Sequence, residues 1–153
     1  MPFLVDGNNL LGQTPGLKLR DPKSRLQLIQ RICAHQHRKG GRYTIFFDGE
    51  PDRGPARLES HLGGVTVRYS GRGVSADEAI KRALRSAAHP REWTVISSDR
   101  ELAVEFRHLG ARSVDCAEFN RNLARLESEP LRRWEKSVSA SEVEEWLKIF
   151  GEK

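Results

Sequence analysis

Apolar residues along this chain fall into short runs separated by helical stripes. Phe3-Leu4-Val5 reads as a buried strand that meets the polar turn Asp6-Gly7-Asn8-Asn9. Asp21-Pro22 opens a helix as N-cap and first helical residue. Leu26, Ile29, Ile32 and Cys33 then recur at helical spacing, and Gly40-Gly41 ends the stripe. A second buried strand, Tyr43 to Phe47, also runs into Asp-Gly, here Asp48-Gly49. The stretch Glu50 to His61 is rich in Pro, Gly and Arg and reads as a loop. Val65 to Tyr69 predicts a third strand, and Ser70 to Val74 a flexible link. Ser75-Ala76-Asp77-Glu78 fits a capping box ahead of the stripe Ile80, Ala83, Leu84 and Ala87. Trp93 to Ile96 is a fourth strand; a second capping box, Ser98 to Glu101, leads into a helix that stops at Gly110. Arg112 to Val114 is a short fifth strand, Asp115 caps a helix near Ala117 to Leu126, and a last helix is expected near Ala140 to Phe150.

Strands that alternate with helices predict the α/β class: three layers, α/β/α, around a mostly parallel sheet of about five strands. A chain of 153 residues fits one domain with a sizeable core. The sole candidate boundary is Glu129-Pro130, which divides residues 1–128, the domain proper, from 129–153, a helical extension expected to pack on it. Trp134 and Trp146, among apolar neighbours there, suit packing better than a partner surface. Met1 to Val5 reaches Asp6 before a signal-peptide apolar region forms, and no apolar run approaches the ~20 residues of a membrane span. The cytoplasm is therefore the expected location, with no membrane partner. Cys33 and Cys116 stand far apart with no CxxC pair, which excludes a zinc ribbon or redox motif and leaves two reduced, buried thiols.

Charge changes the picture only slightly. There are 26 Lys+Arg against 21 Asp+Glu, a net charge of +5. A positive surface concentrates polyanions, so nucleic acid is admitted as a partner, though many soluble domains carry such a charge.

Candidate chemistry sits just past the end of each strand. In an open parallel sheet, ligands bind beyond the carboxyl ends of the strands. Asp6 comes after the first strand, Asp48 after the second, and Asp99 after the fourth; the third leads to Asp77 in the first turn of the next helix. Four carboxylates on one rim repel one another and raise each other's pKa. Mg²⁺ or Mn²⁺ relieves that conflict, and such ions activate water and stabilise charge on a phosphodiester. Asn8 or Asn9 would orient a ligand carboxylate or a bound water. Each residue also has a structural explanation. A single Asp after a strand suits a turn, and Asp77 and Asp99 beside capping serines suit helix dipoles. Glu78 and Glu101 fit the reciprocal position of their capping boxes. Other motifs are absent or poor: there is no P-loop, no G-x-S-x-G elbow, no D-x-D, and Gly71-Arg72-Gly73 lacks a third glycine. His35 and His37 are two apart and point to different helix faces, so both are expected on solvated surface.

Four segments, Phe3 to Asn9, Ile45 to Gly49, Arg68 to Glu78 and Thr94 to Asp99, together resemble the YacP-like branch of the NYN domain family. The resemblance runs from about residue 3 to residue 125. NYN domains are similar to PIN and FLAP nuclease folds, so the resemblance implies a PIN-like fold and metal-dependent endoribonuclease activity. It extends to ribosome-associated endonucleases that cut messenger RNA, which makes single-stranded RNA and the ribosome the implied partners. It places the metal on Asp6, Asp77 and Asp99, with Asp48 as a fourth acidic position and Asn8 at the polar position after the first Asp. Arg72, just before Asp77, is placed to hold a backbone phosphate, because guanidinium pairs with phosphate oxygens. Arg20, Lys23, Arg53 and Arg57 are further positions for an RNA track, with solvated surface as the alternative for each. Two other functions stay open: an RNA- or ribosome-binding module without catalysis, and a metal-dependent phosphodiesterase acting on a small substrate.

Overall fold

The first apolar run becomes the middle of a sheet. In the computed structural model, which describes residues 2–19, 21–49 and 59–128, strand β1 (Pro2–Asp6) passes directly into a short helix α1 (Gly7–Gly12). Then come α2 (Pro22–Lys39), β2 (Arg42–Phe47), β3 (Glu59–Leu62), β4 (Val65–Tyr69) and α3 (Ala76–Arg85). The chain closes the sheet through β5 (Thr94–Ile96), α4 (Arg100–His108), β6 (Arg112–Val114) and α5 (Cys116–Glu127). The sheet has six strands in the order β3-β4-β2-β1-β5-β6. All neighbours pair in parallel except β3, which is antiparallel to β4.

Alternation along the strands divides the core into two halves. Val5, Ile45, Phe47 and Val67 face α1, α2 and α5, and bury Leu10, Ile29, Ile32, Phe119 and Leu123 against them. Leu4, Phe46 and Val95 face the opposite way, onto Ile80 and Leu84 of α3 and Leu102 and Phe106 of α4. Helices thus cover both faces, as a parallel sheet requires. No helix among the described residues is long and apolar enough to cross a membrane.

Caps define where most helices begin. Asp21 accepts from the Lys23 N–H with Pro22 behind it, Ser75 from Glu78, and Asp115 from Ala117, as their sequence positions imply. Helix α4 differs: its cap is Asp99, which accepts from Glu101 and Leu102, and Ser98 is released for other bonds. The structure departs from the sequence pattern at two further points. The polar turn after β1 is the first turn of a helix, because Asp6 caps it and Leu10 and Leu11 bury its far side. The segment that reads as a loop to His61 ends in strand β3, giving six strands instead of five. An edge strand pairs on one side and buries one row, so Ser60 suffices as its inward residue and no apolar run announces it.

Both cysteines are buried and neither is in a disulfide, as expected. His37 is exposed, but His35 is half-buried, edge-on to Tyr43 and Phe119. Burial lowers its pKa, and its Nδ1 has no hydrogen-bond partner among the described residues. The last expected helix and the 129–153 extension lie outside the described residues.

Gly7 is required where β1 turns into α1. A Cβ there would lie 2.6 Å from Phe47 Cε1 and 2.8 Å from the Phe46 carbonyl oxygen. Gly7→Ala is expected to lower the unfolding free energy by about 1–3 kcal/mol, the ordinary range for overpacking. Urea denaturation at equilibrium measures it, and a midpoint equal to that of the native chain would refute the clash.

Candidate active site

Parallel pairing brings the carboxyl ends of β1, β2, β4, β5 and β6 to one rim. Period-two alternation turns Asp6 to the same face as Leu4, and Asp48 to that of Phe46, which is the face that α3 covers. Asp6 is buried at 6% exposure. Its Oδ1 accepts from the Asn9 N–H at 3.2 Å, and its carboxyl is hydrogen-bonded to that of Asp77 in the first turn of α3.

Asp48 is exposed and lies beside this pair. Its Oδ1 accepts from the Ala76 N–H at 2.5 Å, and its own N–H donates to Asn8 Oδ1 at 2.7 Å. Asn8 therefore holds the Asp48 backbone. The Ser70 to Val74 link is also pinned. Ser70 Oγ donates to the Val74 carbonyl and accepts from the Gly49 N–H at 3.1 Å, and the Gly71 N–H donates to the Gly49 carbonyl at 2.8 Å.

The other end of the rim is organised separately. Asp99 is exposed, and its Oδ1 takes the Glu101 and Leu102 N–H groups at 3.0 and 3.2 Å. Asn9 Oδ1 accepts from the Ser98 N–H at 2.7 Å and from the Cys116 thiol at 3.1 Å. Burial pushes Cys116 up to about 11, so it stays a protonated donor at neutral pH. Ser98 Oγ donates to Asp115 Oδ1 at 2.7 Å and accepts from the Cys116 N–H at 3.1 Å. The Ser98 bond, with that from the Ala117 N–H, holds the Asp115 carboxyl below its usual range. The sequence marks Asp115 only as a cap. It succeeds β6 as Asp6 ends β1, and that strand-then-aspartate pattern is the signal that places it on the rim.

Asp6 and Asp77 are thus in contact with Asp48 beside them, while Asp99 Oδ1 is engaged at the start of α4. Among the described residues, no group of three His, Cys, Asp or Glu side chains is gathered to hold a metal ion. Arg72 is exposed between Gly71 and Gly73, both at positive φ, and Lys23 is exposed in the first turn of α2. Arg20, Arg53 and Arg57 lie outside the described residues.

The sequence matches the profile of the YacP-like NYN domain over residues 3–148. This chain belongs to the YacP-like NYN domain family. It is similar to the crystal structure of Rae1 (YacP) from Bacillus subtilis, with 25% identity and a TM-score of 0.66 over 97% of this chain and 85% of that one. The W164L mutant of the same protein matches with 26% identity and a TM-score of 0.63, over 99% and 92% of the two chains. No curated protein sequence matches. NYN domains are PIN-like nucleases, so membership carries a nuclease-like, RNA-related role with RNA as the implied substrate; the family generally uses divalent metals.

The electrostatics of the carboxyl pair fit that family chemistry. Burial, then the hydrogen bond and charge of Asp77, and the charge of Asp48 push Asp6 up to about 7, against the lowering effect of the Asn9 N–H. Two carboxyls share a hydrogen bond only if one keeps its proton; without that proton, a cation must hold the two carboxylates together. Hard oxygen donors paired in this way suit Mg²⁺ or Mn²⁺, which need only one or two carboxylates besides water and phosphate.

The pH consequence has a definite sign. Asp6 titrates near 3.8 when unfolded and about 7 when folded, so the folded chain holds a proton across that interval that the unfolded chain has lost. Without divalent metal, the stability contributed by this group is greatest below about pH 4, falls as pH rises, and levels off above about pH 7. Asp6→Asn should flatten this slope and exceed the native chain in stability at pH 8. Thermal melts across pH 4–8 in chelator test this, and parallel curves for the two proteins would refute it.

Proposed function

We propose that this chain is a Mg²⁺- or Mn²⁺-dependent endoribonuclease that cuts single-stranded RNA, with messenger RNA on the ribosome as its setting. The observation that carries the reading is the hydrogen-bonded Asp6–Asp77 pair, with Asp48 beside it, at the carboxyl rim of a parallel sheet. Asp6 and Asp77 would hold the ion, and Asp99 would join them from the neighbouring strand end. A bound ion would supply a lowered water pKa and charge stabilisation at the scissile phosphate. Asp48 acts beside the pair, held in place by Asn8 and Ala76. Arg72 would grip a backbone phosphate next to Asp77; Lys23, Arg20, Arg53 and Arg57 extend the proposed track. The net charge of +5 favours a polyanionic substrate over a small one.

A second reading has two observations in its favour. Asp99 is engaged by two α4 amides, and no three carboxylates among the described residues converge on a metal position, which suits RNA binding without turnover. Labelled single-stranded RNA, with and without Mn²⁺, separates the readings, alone and with translating ribosomes. Metal-dependent internal cuts are expected. Asp77→Asn should reduce them by more than the roughly 10–100-fold typical of groups that only support a ligand, without loss of fold. RNA binding with no cuts in either setting would favour the binding module instead.

Asp99 has its own test, since asparagine caps a helix about as well as aspartate. Asp99→Asn should therefore keep the melting temperature and lose cleavage. Full activity in that variant would leave Asp99 a cap only.

A further inference from the structure

The chain leaves β1 through α1 and α2 on one face of the sheet, and reaches and leaves β5 through α3 and α4 on the other. Neighbouring strands whose connections diverge in this way open a crevice at their carboxyl ends. Asp6 stands on one side of that crevice and Asp99 on the other. The Asn9 side chain spans it, and the Ser98 hydroxyl also reaches across, to Gln13 Oε1 at 3.2 Å, at the far end of α1. Asn9 Oδ1 accepts from the Ser98 N–H, one residue before Asp99, and from the Cys116 thiol at the start of α5. An amide oxygen has two lone pairs, so these two donors fill it. The backbone N–H of the same residue donates to Asp6 Oδ1. Asn8, its neighbour, does the matching work on the other side by holding Asp48 across to β2.

We infer that Asn9 is a positioning residue of the nuclease site, anchored by the Cys116 thiol, which sets the Asp6 turn against the loop that presents Asp99. This inference rests on the nuclease reading above. Two carboxylates from separate strand ends serve one ion only if their spacing is held, and Asn9 bonds both to Asp6 itself and to the residue before Asp99. Removing its side chain leaves the Ser98 N–H and the thiol without this acceptor, and loosens the Asp99 loop against the Asp6 turn. Supporting groups of this kind act on turnover and on metal affinity, more than on substrate binding.

The experiment uses the full chain, its Asn9→Ala variant and the pair Cys116→Ala and Cys116→Ser, on labelled single-stranded RNA across a Mn²⁺ titration. Melting temperatures are measured alongside. The native chain is scored first: no cutting there overturns the nuclease reading itself, before any variant is considered. Given native cutting, Asn9→Ala should lower kcat roughly 10–100-fold, raise the Mn²⁺ concentration for half activity, and leave KM for RNA within about two-fold. Cys116→Ala should lower kcat about five-fold, as for one lost hydrogen bond, and Cys116→Ser, which restores a donor, should recover most of it. A folded Asn9→Ala with native kcat, or a loss confined to KM, would overturn the inference. So would equal activity of the two Cys116 variants, and that pair decides alone if Asn9→Ala does not fold.

Discussion

The rim of this protein depends on how Asp6 is held. It ends β1, caps α1 and shares a hydrogen bond with Asp77, all from a buried position. Burial of a carboxylate is unfavourable unless its charge is neutralised or well bonded. The Asn9 N–H offsets part of that cost, and a proton or a cation must supply the rest. Gly7 makes the arrangement possible, because the backbone passes against the Phe47 ring with no room for a side chain.

The other rim aspartates obey the same logic in milder form. Asp99 and Asp115 cap α4 and α5, and Asp77 lies in the first turn of α3. Crossover helices in a parallel sheet begin where the strands end, so their positive N-terminal amides gather at one edge. Those amides offset the repulsion among the acidic residues. A chain with net charge +5 can thus carry a concentrated acidic edge without coming apart. Asn8 and Asn9 add the geometry that charge compensation does not provide, each tying the β1 turn to a different neighbouring strand end.

Much of this is legible in the residues. The apolar runs mark β1, β2, β4 and β5, the short Arg112–Val114 segment reads as β6, and the caps Asp21, Ser75 and Asp115 mark where helices start. The four aspartates are visible as residues that end strands or open helices. Strand β3 escapes because Glu59-Ser60-His61-Leu62 has no apolar run, and His35 reads as surface because helical spacing does not reveal that Tyr43 and Phe119 flank it. Ser98 reads as the α4 cap because Ser and Asp are both good caps, and only the bonds to Asp115 and Cys116 decide between them.

The division comes from the range of the forces involved. By itself the sequence determined most of the element pattern, the parallel class of the sheet and four of the aspartates at its rim, since periodicity and capping act within a few residues. Only the tertiary structure decided which of those aspartates pair. Asp6 meets Asp77 because β1 and α3 pack on one face, whereas Asp99 turns to the amides of α4. Hydrogen bonds between residues some forty to a hundred positions apart, Asn8 to Asp48 and Asn9 to Cys116, exist only once the sheet has brought their strands side by side.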